Sequence, residues 1–253
     1  MSTTTQQTLD TSYAWLAQPD MSIIASYTEE NLTIKEAVAI AGTRSNPSKM
    51  PGSGTSTPAS KCITGGKLQD VKGSVCEGCY AMKNAYLFSN VQPALEKRYD
   101  AVLESRDNPG PWINAMVALT KRQTYFRWHD SGDLQGSWHL ANICEVARRT
   151  PSVKHWIPTR EYRMVKDYLA AGGLIPSNLV VRLSAHMVDG PAPRIPVSDR
   201  QWSAHPWSDG YLPTSTVVTS DDATCPARFQ ANNCGTCRAC WNPKVANVSY
   251  HKH

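Results

Sequence analysis

Hydrophobic positions along the chain alternate between a helical and a strand period. From Ala81 to Ser105, Tyr86, Val91, Ala94, Leu95, Tyr99, Val102 and Leu103 recur near every 3.6 residues. That predicts a helix, kinked or split in two at Pro93. Asn108-Pro109-Gly110-Pro111 stops it, and a further helix is expected from Trp112 to Lys121. The middle of the chain is patterned most clearly. Thr124 to His129 (TYFRWH) reads as a strand. Ser137 to Thr150 reads as a helix with Leu140, Ile143, Cys144 and Ala147 on one face. Val153 to Pro158 (VKHWIP) is a second strand, Glu161 to Ala171 a helix closed by Gly172-Gly173, and Leu179 to Leu183 (LVVRL) a third strand. Short connections in this β-α-β-α-β series require parallel strands with right-handed crossovers. The expected fold class is therefore α/β, its parallel sheet open or rolled into a partial (β/α) barrel. In either form, ligands sit at the carboxyl ends of the strands.

Around this core the signals are weaker. Residues 1–20 read as a loose tail and Thr33 to Ala41 as a short helix, so residues 1–41 precede the main domain. Residues 42–253 read as a single α/β domain. Gly42 to Lys61 is a Ser/Thr/Pro/Gly-rich loop or linker. The chain turns irregular after Pro191 and stays Pro-rich to Pro213. Thr216 to Thr219 is then a last strand, leading into a cysteine-rich segment over residues 220–243. No internal repeat is evident.

Composition narrows the class. A chain of 253 residues with 41% hydrophobic and 19% charged residues can bury a sizeable core. The net charge of +5 comes from scattered Lys and Arg, which permits nucleic-acid binding without indicating it. No stretch approaches the roughly 20 apolar residues of a membrane span. The N-terminus lacks the basic end and apolar centre of a secretory leader. A cytoplasmic setting follows, where clustered thiols signify metal or redox chemistry more often than cross-links. Eight Trp stand against three Phe, an unusual balance that either places amphipathic aromatics near a site or is merely compositional.

The cysteines carry the chemistry. Cys225-Pro226 is followed by Cys234, Cys237 and Cys240, two residues separating each of the last three. Such a C-x2-C-x2-C run with a fourth, remote cysteine is the spacing of 4Fe–4S ligands. Gly235, Thr236 and Ala239 let the loop curl, and Arg238 is placed to stabilise an anionic cluster. A four-cysteine zinc site is the alternative, although zinc usually takes two separated C-x2-C turns. A second group, Cys62, Cys76 and Cys79, supplies three thiols. Three thiolates leave one iron of a cluster open to a substrate or to S-adenosylmethionine. Zinc with a histidine, a cluster shared between the two ends of the chain, and completion by Cys144 are the other readings. Cys144 itself lies on an apolar helix face, where a lone Cys is usually a core residue.

Polar residues gather at the strand ends. His129-Asp130-Ser131-Gly132-Asp133 ends the first strand; Gly132 permits close backbone approach, and the carboxylates and imidazole can bind a ligand amine or ribose, or move protons. His129, Asp130, Asp133 and Arg160 are thus the catalytic candidates, and Ser131, Gly132 and Asp133 the candidate cofactor-binding turn. The same turn read as a helix N-cap would satisfy free backbone N–H groups instead. Thr159 is expected to cap the following helix, with Arg160 paired to Glu161 or another acid. His186, His251 and His253 read as ordinary histidines.

Several strings resemble an actinobacteriophage family known as gene product eighty-eight. They are Lys49 to Arg98, Phe126 to Leu134 (FRWHDSGDL), Trp156 to Glu161 (WIPTRE) and Cys225 to Trp241 (CPARFQANNCGTCRACW). That resemblance implies a phage-encoded protein acting in the host cytoplasm, and no particular activity. More broadly, three N-terminal cysteines, a parallel (β/α) core and a C-terminal cysteine set resemble radical S-adenosylmethionine enzymes. Those enzymes space their cysteines C-x3-C-x2-C, whereas here the spacing is C-x13-C-x2-C, and Tyr80 follows the third cysteine rather than an aromatic preceding it. The expectation is one or two 4Fe–4S clusters with a radical S-adenosylmethionine-like or other redox role, fed by an external electron donor. The alternatives are a non-enzymatic cluster protein that senses redox state or binds host protein or nucleic acid, and a zinc-stapled binding module.

Overall fold

A computed structural model describes residues 27–198, 201 and 210–252. Along the chain run α1 (Ile34–Ala41), β1 (Ser53–Gly54), α2 (Ile63–Leu68), α3 (Gln92–Glu104), α4 (Pro109–Thr120) and β2 (Tyr125–Arg127). They are followed by α5 (Ser137–Arg149), β3 (Lys154–Thr159), α6 (Tyr162–Ala170), β4 (Leu179–Val188), β5 (Thr214–Val218) and β6 (Asn247–His251). The strands form one open sheet, every neighbouring pair parallel, in the order β1-β2-β3-β4-β5-β6.

Sequential order has a topological consequence. Right-handed crossovers between successive neighbours fall on the same side of the sheet, as the helix-bearing connections from β1 to β4 do, whereas residues 219–246, which join β5 to β6, cross on the other side. The helices accordingly make one layer, with α1 against α4, α4 against α5 and α5 against α6. Strand alternation serves two faces. Phe126, Ile157, Leu179, Val181 and Leu183 point into the main core beneath the helices. On the opposite face Trp156 and Val248 join Cys240 and Trp241 in a smaller core flanked by Tyr125, Cys225 and Tyr250. The cysteine-rich C-terminal segment therefore covers the face that the helices leave bare.

Several expectations are corrected by local physics. The helix expected from Ala81 to Ser105 begins only at Gln92, because Pro93 lacks an N–H and fits best in a first turn; short 3-10 turns, Tyr80–Met82 and Asn84–Leu87, precede it. Pro109-Gly110-Pro111 opens α4 instead of marking a stop, since the first-turn N–H groups have no helical partner anyway. β4 runs to Val188 rather than Leu183, and β1, β6 and α2 carried too little pattern to be foreseen. α1 starts where expected: Thr33 and Glu36 form a reciprocal capping box. The tail expected over residues 1–20 and His253 lie outside the described residues.

Candidate metal centres

All eight cysteines are free thiols. The N-terminal set gathers at the carboxyl edge of the sheet. Cys62 precedes α2, whose start is held by Glu161: its carboxylate accepts from the Thr64 N–H at 2.7 Å and the Thr64 hydroxyl at 2.6 Å. The segment before Cys76 lies along the far end of β4, with the Val75 N–H donating to His186 O at 2.8 Å and Ser74 bridging Met187. Ser74 Oγ accepts from the N–H groups of Cys76 (3.2 Å) and Glu77 (3.0 Å), which fixes the turn. Gly78 at φ 65° and a Cys79 N–H to Cys76 O bond of 3.1 Å bring the third thiol round. A Cβ built on Gly65 would stand 3.6 Å from Cys76 Sγ and 3.7 Å from Cys62 Sγ, so glycine there leaves space on which both sulfurs border.

The strand-end turn is woven into this edge. Asp133 Oδ1 accepts from the Thr159 hydroxyl at 2.6 Å and the Leu134 N–H at 2.8 Å, and Oδ2 from the Arg160 N–H at 2.9 Å. Asp133 thereby ties the end of β2 to the end of β3. Burial, and then the charge of Asp133, push Glu161 up to about 7. Burial also raises the Cys62 and Cys76 thiols; Asp133 adds to the rise at Cys62, whereas the Arg160 guanidinium opposes it at Cys76. Ser131 and Gly132 clasp the loop leading to Cys62: Ser131 Oγ donates to Thr57 O at 2.8 Å, and a Cβ on Gly132 would meet Thr57 Oγ1 at 1.9 Å. His129 is buried at φ 59°, its Nδ1 without a hydrogen-bond partner among the described residues, edge-on to His139 at 5.2 Å. Asp130 Oδ1 accepts from the Ser45 hydroxyl at 3.1 Å, and its backbone carbonyl from Tyr80.

Three expectations about neighbouring groups change. No side chain of the turn caps α5, whose N-cap is Gly136. Thr159 does not cap α6; its hydroxyl serves Asp133 and accepts from the Glu161 N–H at 3.1 Å. Arg160 forms no ion pair with Glu161, and its Nε donates to Ala185 O at 3.3 Å. His186 stacks on Tyr162 at 4.3 Å with 6° between the planes. Cys144 is fully buried in the main core, as its helix face suggested, and burial raises it to about 11.

The C-terminal set lies on the bare face. Cys225 is anchored to β6 by its N–H to Ser249 O (2.9 Å), Cys234 to the N-terminal loop by its N–H to Lys49 O (2.8 Å). Gly235 at φ 51° and the Cys237 N–H to Cys234 O bond of 2.9 Å curl the run. Cys225, Cys234, Cys237 and Cys240 line one concavity with Pro226, Ala239, Trp241 and Val248. Cys240 is the most enclosed, raised to about 11 chiefly by burial, and its Sγ lies 3.1 Å from Tyr250 Oη.

Two arginines unforeseen from the sequence build this floor. Arg182 on β4 is completely buried and donates to the carbonyls of Thr214 (2.7 Å), Val245 (3.0 Å), Ala239 (3.1 Å) and Asn242 (3.2 Å). Arg127 lies 4.8 Å over the Trp156 ring, with its Nε unpartnered among the described residues. A charge inside an apolar strand such as LVVRL was the available signal, since a buried cation requires acceptors.

Among the described residues no group of three or more His, Cys, Asp or Glu is arranged to hold a metal ion. Both sets offer soft sulfur as the sole donor type, the donor set that thiolate-bound zinc and iron–sulfur clusters share.

The architecture defines the molecule as an all-parallel, open-sheet α/β protein with cysteine-rich segments at its carboxyl edge and on its helix-free face. A family model described as Gene product 88 matches residues 17–243, and the chain belongs to that family. No curated protein matches the chain, and neither does any solved structure. No helix among the described residues is long and apolar enough to cross a membrane.

Proposed function

We propose that the protein is an iron–sulfur protein with a redox role, holding one cluster on Cys225, Cys234, Cys237 and Cys240 and another on Cys62, Cys76 and Cys79. The observation that carries this reading is the single concavity bordered by all four C-terminal thiols. Those thiols come from sequence positions that the fold had to bring together around Cys225. The N-terminal set supports a second cluster through the space beside Gly65 that Cys62 and Cys76 share. Bound clusters would supply one-electron chemistry, and an iron without a cysteine ligand at the N-terminal set would be open to a substrate or to S-adenosylmethionine. The chain's own part is to hold the thiols, with Asp133 and Glu161 near Cys62 and Cys76 and Arg160 near Cys76.

The test is iron, sulfide and zinc content per chain in protein made without oxygen, repeated on Cys76→Ala and Cys237→Ala. Brown protein with iron and sulfide, reduced in each variant, supports the proposal; colourless protein carrying zinc refutes it. Release of 5′-deoxyadenosine from S-adenosylmethionine under dithionite, lost in Cys76→Ala and retained in Cys237→Ala, would establish the open site. Intact clusters that release none would leave electron transfer as the role.

A further inference from the structure

An open groove runs along the amino edge of the sheet, the edge away from the N-terminal thiols. Tyr125 opens β2, Lys154 opens β3, Ser177 and Asn178 precede β4, and residues 238–239 and 241–245 form the other wall. Three cations line it, Lys154, Arg238 and Lys244, and no carboxylate does. None of the three forms an ion pair among the described residues. The sequence accounts for this. No Asp or Glu occurs in residues 121–129, 146–160, 168–188 or 223–253, the stretches from which this edge and its cysteine-rich wall are built.

The cations are held around one ring. Arg238 Cζ lies 5.0 Å and Lys154 Nζ 5.8 Å from the Tyr125 ring centroid, and Trp241 packs edge-on to Tyr125 at 5.3 Å. Arg238 is further fixed by donating to Gly235 O and Cys237 O at 2.7 Å each. Unpaired cations in a groove without acids attract a polyanion, and an aromatic ring with a guanidinium plane beside it offers a surface on which a base can stack. An unpaired strand can turn its bases into such a groove, whereas a duplex keeps them stacked inside. We propose that this groove binds single-stranded nucleic acid, with Lys154, Arg238 and Lys244 on phosphates and Tyr125 against a base. Ala239 and Trp241 line both the groove and the cysteine concavity, so the segment that carries the C-terminal thiols is also a wall of the binding site.

Fluorescence anisotropy of a short labelled oligothymidylate, titrated with the full chain prepared without oxygen, tests this. Three phosphate contacts on a single strand predict a slope of about −2 for log affinity against log salt. Lys154→Gln and Lys244→Gln, both at exposed positions, should each weaken binding and make that slope shallower by about 0.7. An abasic strand of the same length should bind at least about fivefold more weakly, the loss expected for one stacked base. Absence of binding at low salt overturns the proposal. So does a slope unmoved by both lysine variants, or equal affinity for the abasic strand or for a duplex of the same length. Iron and sulfide content of the same samples reports the cluster reading separately, so either can fail while the other stands.

Discussion

Arg182 offers the sharpest test of how the sheet holds the C-terminal cysteine segment. Its guanidinium spans four carbonyls, three of them in residues 239–245, directly after or within the cysteine run. Arg182→Met keeps the length and removes every donor. Ala239 O and Asn242 O retain a backbone donor each, from Asn242 and Val245, so their loss is partial. The remaining two lose a charge-assisted partner. Hydrogen bonds to charged groups contribute about 1.5–3 kcal/mol each, and stranding a buried acceptor costs about 1–3 kcal/mol. Against this stands the relief of no longer burying a cation, which in measured cases offsets several kcal/mol. The balance is a destabilisation of about 2–4 kcal/mol. Urea unfolding of metal-free protein reads that number, and iron per chain reads the consequence for the concavity. Arg182→Lys should recover little, because a point charge with three donors lacks the planar fork that spans the set. A loss below about 1 kcal/mol with full C-terminal loading would refute the reasoning.

Gly65→Ala should fold, since alanine favours the helix by about 0.5–1 kcal/mol. It should nevertheless lose the N-terminal cluster alone, read as iron content, because its Cβ would press on Cys62 Cβ at 2.9 Å. Gly132→Ala combines a positive φ of 79° with a Cβ 1.9 Å from Thr57 Oγ1; a loss of about 2 kcal/mol or more in urea unfolding is expected. His155 is locked neutral: the Trp128 indole N–H donates to its Nδ1 at 3.3 Å, its Nε2 meets Thr150 Oγ1 at 2.8 Å, and burial lowers its pKa to about 3. The unfolded chain protonates near 6.5 and the folded one does not, so this contribution is complete above pH 6.5 and declines as pH falls towards 3. Glu161, raised to about 7, titrates in the opposite sense, so the comparison must be between variants. From pH 7 to 5 the wild type should lose about 2 kcal/mol more than His155→Gln, and equal slopes would sink the assignment.

Much of this was legible in the chain, and the losses have physical causes. The short strand-like runs VKHWIP and LVVRL marked β3 and β4, and the C-x2-C-x2-C run marked the segment whose four thiols share one concavity. What stayed hidden depended on pairing partners distant in sequence. β1 is two residues, Ser53 and Gly54, and exists because β2 offers a free edge. α2, with sequence ITGGKL, has almost no helical pattern and is held at its start by the Glu161 carboxylate from across the sheet. The turn at Ser131-Gly132 packs against Thr57 of the same chain, a contact between residues more than seventy positions apart that no local pattern announces.

The two cysteine sets also differ in what supports them, and this bears on their roles. The C-terminal set rests on strand residues whose other neighbours lie in the core: Trp156, Arg182, Val248 and Tyr250 all project from the helix-free face, and alternation places Ile157, Val181 and Leu183 on the opposite one. A one-residue slip of β4 would send Arg182 into the main core and release three carbonyls of the cysteine segment together. That floor is thus as rigid as the sheet. The N-terminal set hangs on loops at the carboxyl edge, joined to the strands by Asp133, Glu161 and the bridge between Ser74 and Met187. Loops on a rigid scaffold are where binding groups concentrate, because they can approach a ligand without disturbing the core. On the proposed reading the C-terminal cluster would rest on the rigid sheet face, and the N-terminal one would stand at the strand edge, where binding loops lie.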